Sequence, residues 1–226
     1  MKTMKIAGYE MTVEKKNIKH LHIYIKAPEG KIHVTVPRHM SEESVRHAVE
    51  SKVLWIQKHK ERMEKVSPPV RMTYSDGELL YLWGKPYVIE VEQVSRGKGA
   101  VISGEKVILR VPRTYTAAQR EKVVEHWYRE QLSLEIPQLM EKWEGIMGVK
   151  SCSWHIRKMK TRWGTCNTRD RRIWLSLHLA KKTKECLEYV VVHELCHLIE
   201  RSHNEVFKHW MTCFLPDWRI RRKALK

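Results

Sequence analysis

Five residues near the end of an apolar, helix-periodic segment constrain this chain more than any others: His193-Glu194-Leu195-Cys196-His197. Residues four apart on an α-helix lie one above the other on the same face, so the imidazoles of His193 and His197 can close on a single cation. Glu194 is turned part-way round the helix, where its carboxylate reaches a water beside the cation rather than the cation itself. From Glu185 to Ile199 the apolar residues Leu187, Val190, Val191, Leu195 and Leu198 recur at helical spacing, Thr183 is the expected N-cap, and neither Pro nor Gly interrupts the run. His203 follows, within a Ser202-x-x-Glu205 pattern that predicts a capping box and a new helix opened by His203.

A His-Glu-x-x-His pattern also arises on ordinary surface helices. Here the apolar helix, the third histidine and a hairpin-like segment over Met159 to Leu177 together favour a catalytic metal centre. Zn²⁺ is the expected ion, and other divalent ions are compatible. Catalytic zinc takes three protein ligands and keeps a fourth position open, whereas structural zinc sites are usually closed and Cys-rich. The expected ligands are His193, His197 and His203, with Glu194 as general base. Glu200 competes for the third place, but a solvated or salt-bridged side chain accounts for that residue adequately.

The segments Arg162-Trp163-Gly164-Thr165-Cys166, Ile173-Trp174-Leu175-Ser176, Tyr189-Val190-Val191-Val192-His193-Glu194-Leu195 and His203-Asn204-Glu205-Val206-Phe207 closely resemble the YgjP-like metallopeptidase family, relatives of the SprT-like zinc proteases. The resemblance runs over nearly the whole chain, through Trp55-Ile56, Gly84-Lys85-Pro86-Tyr87 and Leu215-Pro216-Asp217-Trp218-Arg219. It implies a zinc-dependent, peptidase-like domain whose metal is carried by His193, His197 and His203 with Glu194 as base. Thr165 stands where the family usually has Ser, and Cys196 where a small Ala is common; neither is a proposed ligand.

The chain has 226 residues, 42% hydrophobic and 31% charged, which suits one or two soluble globular domains. Its first residues lack the apolar core of a secretory signal and no run reaches the length of a membrane span, so the expectation is a cytoplasmic protein without membrane contact. Cys152, Cys166, Cys186, Cys196 and Cys213 form no Cys-x-x-Cys pair and read as reduced thiols, with Cys196 an inert buried one. A net charge of +17 attracts polyanions and acidic proteins. Its dispersal along the chain, with no recognised nucleic-acid module, makes nucleic acid the weaker partner expectation beside a protein or peptide substrate.

Alternation at Leu21 to Ile25 and Ile32 to Val36, around Pro28-Glu29-Gly30, predicts a hairpin. One long helix over 41–65 follows, then a linker from Val66 to Asp76. Strands are expected at Leu79 to Trp83, Tyr87 to Val94 and Val107 to Val111. A second long helix from Thr116 should kink or restart at Pro137. Strand Cys152 to Lys158 and the hairpin Met159 to Cys166 with Arg172 to Ser176 then lead to the metal helix. No internal repeat is evident. The fold class is α+β: a β-rich N-terminal region, 1–115, packed on a zincin-like helical catalytic core, 116–226, that carries a small hairpin or sheet.

The expected chemistry is hydrolysis of peptide bonds by a metal-activated water. An extended substrate would add to the hairpin edge near Arg162 and Trp163, which are the expected substrate-binding residues. Tyr189, Arg162 and His209 are all able to stabilise an oxyanion, and the sequence does not choose among them. The rival reading is a non-catalytic, metal-stabilised basic module that binds nucleic acid or a protein partner.

Overall fold

The computed structural model describes residues 2–26, 30–65 and 72–225, and the chain forms two compact units, Met1–Arg71 and Met72–Lys226. In the first, strands β1 (Lys2–Ile6), β2 (Tyr9–Lys16), β3 (His22–Lys26) and β4 (Lys31–Pro37) make one sheet in the order β1-β2-β4-β3. The pairs β1–β2 and β3–β4 are antiparallel and β2–β4 is parallel. Period-two alternation turns Ile32, Val34 and Val36 to one face, where Val45, Val49 and Ile56 of the following helices cover them. The expected β3–β4 hairpin is present, although Pro28 and Glu29 of its turn lie outside the described residues. Strands β1 and β2 were not anticipated.

The single helix expected over 41–65 is divided into α1 (Glu42–Glu50) and α2 (Val53–Lys65). Ser41 caps α1 by accepting from the Ser44 N–H. At the far end the Ser51 hydroxyl donates to the Ala48 carbonyl, a local bond that competes with the helical ladder and closes α1 there.

The second unit opens with β5 (Leu79–Leu82), β6 (Lys85–Gln93), β7 (Gly99–Ser103) and β8 (Lys106–Val111), in the order β5-β6-β8-β7. Its pairing repeats that of the first sheet: outer pairs antiparallel, inner pair β6–β8 parallel. The reading of no internal repeat is therefore corrected. Ala7-Gly8 and Trp83-Gly84 both turn with two successive positive φ values, as tight primed hairpin turns require. Val36-Pro37-Arg38-x-x-Ser41 and Val111-Pro112-Arg113-x-x-Thr116 share a spacing that ends on a helix N-cap. The same turn precedes each cap: Met40 N–H donates to Pro37 O at 3.1 Å and Tyr115 N–H to Pro112 O at 3.0 Å.

Helix α3 (Ala117–Met147) starts at a Thr116–Gln119 capping box and ends at Gly148 in the left-handed region. It runs through Pro137 without the expected restart. Proline removes one backbone donor, and the burial of Ile136, Met140 and Trp143 on either side outweighs that loss. Leu80, Leu82, Ile89, Val107 and Leu109 share one core with Val124, Trp127 and Leu132 of α3. For that reason the units divide between 71 and 72 and not at the expected 115/116. Residues 66–71 of the expected linker lie outside the described residues.

Beyond α3 come β9 (Ser153–Arg157), β10 (Gly164–Asn167) and β11 (Arg172–Ser176), ordered β10-β11-β9. The β10–β11 hairpin is shorter than expected, because residues 159–163 are not strand. Its turn is held by Asn167 Oδ1, which accepts from the Arg169 and Asp170 N–H groups. A 3₁₀ turn, Leu177–Lys181, leads into α4 (Lys184–Cys196), α5 (Glu205–Phe214) and α6 (Trp218–Ala224). The fold class is α+β as expected, with a small mixed sheet set against the helix that bears the His-Glu-x-x-His motif. Among the described residues no helix is long and apolar enough to cross a membrane.

Candidate metal centre

Helix α4 is buried nearly all round, from Cys186 through Cys196, as befits a helix enclosed by other elements. Its start is fixed by the β5–β6 hairpin: Trp83 N–H donates to Ala180 O at 2.8 Å, and a Cβ added at Gly84 would stand 2.7 Å from Thr183 Cγ2. Thr183 is the N-cap, although its hydroxyl makes no capping bond. On the outer side, Glu188 accepts from Lys142, Trp143 Nε1 and Arg221, tying α3, α4 and α6 together.

His193 lies in the last turn of α4 and His197 is its C-cap. His203 precedes α5 rather than opening it. The N-cap is Asn204, whose Oδ1 accepts from Phe207 N–H at 3.0 Å, while the Ser202 N–H is taken by Glu200 Oε1 at 2.9 Å. Thus the expected Ser202–Glu205 capping box is absent, and Glu200 folds back onto its own loop. His193, His197 and His203 converge, with one ligand nitrogen from each lying within 4.8 Å of the others.

Three observations test whether these rings suit a metal. The Nε2 atoms of His193 and His203 are 3.0 Å apart, close to the roughly 3.3 Å expected of two nitrogens on one tetrahedral zinc. His197 Nδ1 lies 3.2 Å from Glu200 O; donation there fixes the tautomer and leaves the Nε2 lone pair free. His193 Nδ1 is buried without a hydrogen-bond partner among the described residues, a cost tolerated when the other ring nitrogen gains a strong partner. Burial, reinforced by His197 and His203, pushes His193 down to about 3, so its imidazole is neutral and able to ligate. The donor set fits a divalent ion of the zinc type.

Phe207 supports all three rings, with centroids 5.0, 4.8 and 4.8 Å from those of His193, His197 and His203. Sequence reasoning gave it no role, yet its place three residues after Asn204 follows from the cap.

Glu194 is only 4% exposed, and burial pushes its carboxyl up to about 8 against the opposing pull of Arg162. Its carboxylate rests on Gly164, the first residue of β10: an added Cβ there would lie 2.5 Å from Glu194 Oε1. Gly164 is glycine because the Glu194 carboxylate occupies the space a side chain would fill. An isolated Gly at the head of a strand was the available signal of such a close approach. Cys166, on the same strand, is pushed up to about 11 by burial and then by Glu194, so its thiol stays protonated.

The histidines and Glu194 face a cleft of about 860 Å³. Arg162 and Trp163 line it, as does Tyr189; His209 does not and instead meets Cys213 at 3.5 Å. Trp163 also packs on the core, with the Lys182 ammonium 5.5 Å from its ring centroid. Cys196 is fully buried, its thiol facing Phe207 O and pushed up to about 12 by burial. Residues 19–226 match the YgjP-like metallopeptidase domain. The chain belongs to the YgjP-like family.

It carries that family's metallopeptidase domain over almost its full length. Among curated proteins none matches. A solved structure, the crystal structure of the metallopeptidase zymogen of Pyrococcus abyssi abylysin, is similar at 22% identity over 39% of this chain and 87% of that one. Its TM-score of 0.36 is too low to inform the comparison of folds.

Proposed function

We propose that this protein is a zinc-dependent peptidase in which His193, His197 and His203 hold the ion and Glu194 is the general base. The observation that carries the reading is the convergence of three imidazoles beside one buried carboxylate in a single cleft. When bound, zinc supplies a Lewis acid for the scissile carbonyl and lowers the pKa of water at the site.

The chain's own residues do the rest. Burial holds Glu194 near neutral proton affinity, so it accepts a proton from the attacking water and returns one to the leaving amine. Gly164 fixes where that carboxylate stands. Strand β10 is an edge: β11 pairs with one side only, and its Gly164, Thr165 and Cys166 line the cleft. An extended peptide can add to the free side by main-chain hydrogen bonds, which places its backbone across Glu194. Tyr189 and Arg162 are the donors placed to meet an oxyanion, and burial keeps the Tyr189 phenol protonated.

Glu194→Gln should retain metal and fold while cleavage of a denatured-protein substrate falls by about 10²–10⁴-fold. His203→Ala should lose bound metal and Glu200→Ala should keep it, measured by metal analysis of the purified variants. Wild-type cleavage that survives in Glu194→Gln would refute the assignment. A non-catalytic basic module predicts no change on that substitution.

A further inference from the structure

The cleft is flanked by three arginines from three separate segments: Arg162 ahead of β10, Arg201 between α4 and α5, and Arg222 in α6. All three are exposed, and none has a hydrogen-bonded or ion-paired side-chain partner among the described residues. Several cations elsewhere in this unit are neutralised, whereas Arg96, Arg113 and Arg172, which lie away from this cleft, are unpaired among the described residues as well. Arg221, next to Arg222, is held by Glu188 at 2.6 Å and Asp217 at 2.9 Å; Lys158 pairs with Glu121 and Glu125; Arg110 pairs with Glu92. Among the described residues the only carboxylate lining the cleft is Glu194, and it is buried.

Three open guanidinium forks around a groove are suited to carboxylates, which they bind bidentately. All three line the same cleft as His193, Glu194 and Tyr189. A nucleic-acid site usually spreads its cations along a face or helix. Here they ring a cleft whose wall is the free edge of β10, a surface that pairs with peptide main chain.

We propose that the cleft selects peptides carrying acidic side chains around the bond to be cut, with Arg162, Arg201 and Arg222 as the carboxylate-binding groups. This rests on the peptidase reading for cleavage but not for binding. Exposed ion pairs are individually weak, so three together give a preference of about tenfold at low salt, shrinking as salt screens them.

The test uses peptides of one backbone with Glu, Gln or Lys at the positions flanking a fixed bond. Metal-loaded wild type is assayed for kcat/KM, and Glu194→Gln for peptide Kd by fluorescence anisotropy, each at low and high salt. The expected result is a Glu-over-Gln ratio near ten that falls toward one in Arg162→Gln/Arg201→Gln/Arg222→Gln. Glu in place of the same three arginines should invert the order toward the Lys peptide, which a merely structural defect would not do. Equal cleavage of all three peptides overturns the inference and leaves the peptidase reading standing. Selective binding of the Glu peptide without any cleavage does the reverse. A single-stranded oligonucleotide that displaces the Glu peptide at far lower concentration than the peptide's own Kd would assign the arginines to nucleic acid and overturn the proposal.

Discussion

The sheets β1–β4 and β5–β8 have the same strand order, the same parallel inner pair and the same Val-Pro-Arg approach to a helix, but only the second is built into the candidate site. The tight turns show the difference most directly. A Cβ at Gly8 would meet nothing within 4 Å, whereas one at the corresponding Gly84 would collide with Thr183 at the head of α4. The first sheet closes a small core with α1 and α2; the second shares its core with α3 and α4. One pattern of strand pairing thus serves two purposes, and what the outer turn touches decides which.

Core truncation should separate the two most strongly. Leu109 and Val34 occupy equivalent strand positions and both are fully buried. Leu109→Ala should cost about 2–5 kcal/mol and lower metal occupancy, while Val34→Ala should destabilise by less and leave metal content unchanged. Paired thermal melts and metal analysis decide this, and equal metal loss in both would show that the cores are not separate in effect.

The turns come next. Gly8→Ala should cost about 1 kcal/mol, from the positive φ alone. Gly84→Ala adds a steric push on Thr183 and should cost roughly 2–3 kcal/mol, read by denaturant midpoint. Similar values for the two would remove the structural distinction between the turns.

The most gradual effect is in pH. The buried carboxylates, Glu144 and Glu194, both belong to the second unit, and only Glu194 is raised. Its contribution to stability is complete below the ordinary carboxylate value of 4.5 and is lost as pH rises through about 8. His193, depressed, gives the opposite dependence: stability present above 6.5 and lost as pH falls toward about 3. Above pH 6.5 the metal-free protein should therefore lose up to about 1.4 kcal/mol per unit through Glu194, with the slope halved by about pH 8. Glu194→Gln should flatten that slope in calorimetry; an unchanged slope would place its origin elsewhere.

Much of the site could be read from residues close in sequence. The spacing of His193, Glu194 and His197 on an apolar helix anticipated their juxtaposition, and the short step to His203 anticipated the third ring. Gly164 and Phe207 were harder, because their meaning lies in what crosses them: a carboxylate from α4 in one case, three imidazoles in the other. Most strands and both long helical regions were legible from periodicity. The break at Ser51, the uninterrupted passage through Pro137 and the Asn204 cap were settled by local hydrogen bonds and packing that compete with the simpler signals.

By itself the sequence determined the periodicities, the turn chemistry and a set of ligating side chains at one-turn spacing, since these depend on neighbours along the chain. The tertiary structure alone decided that the two sheets are alike, that the second shares its core with α3 and α4, and that three unpaired arginines surround the cleft. Strand order, shared burial and the absence of a counter-charge arise between residues far apart in the chain, and their energies exist only once the chain has folded back on itself.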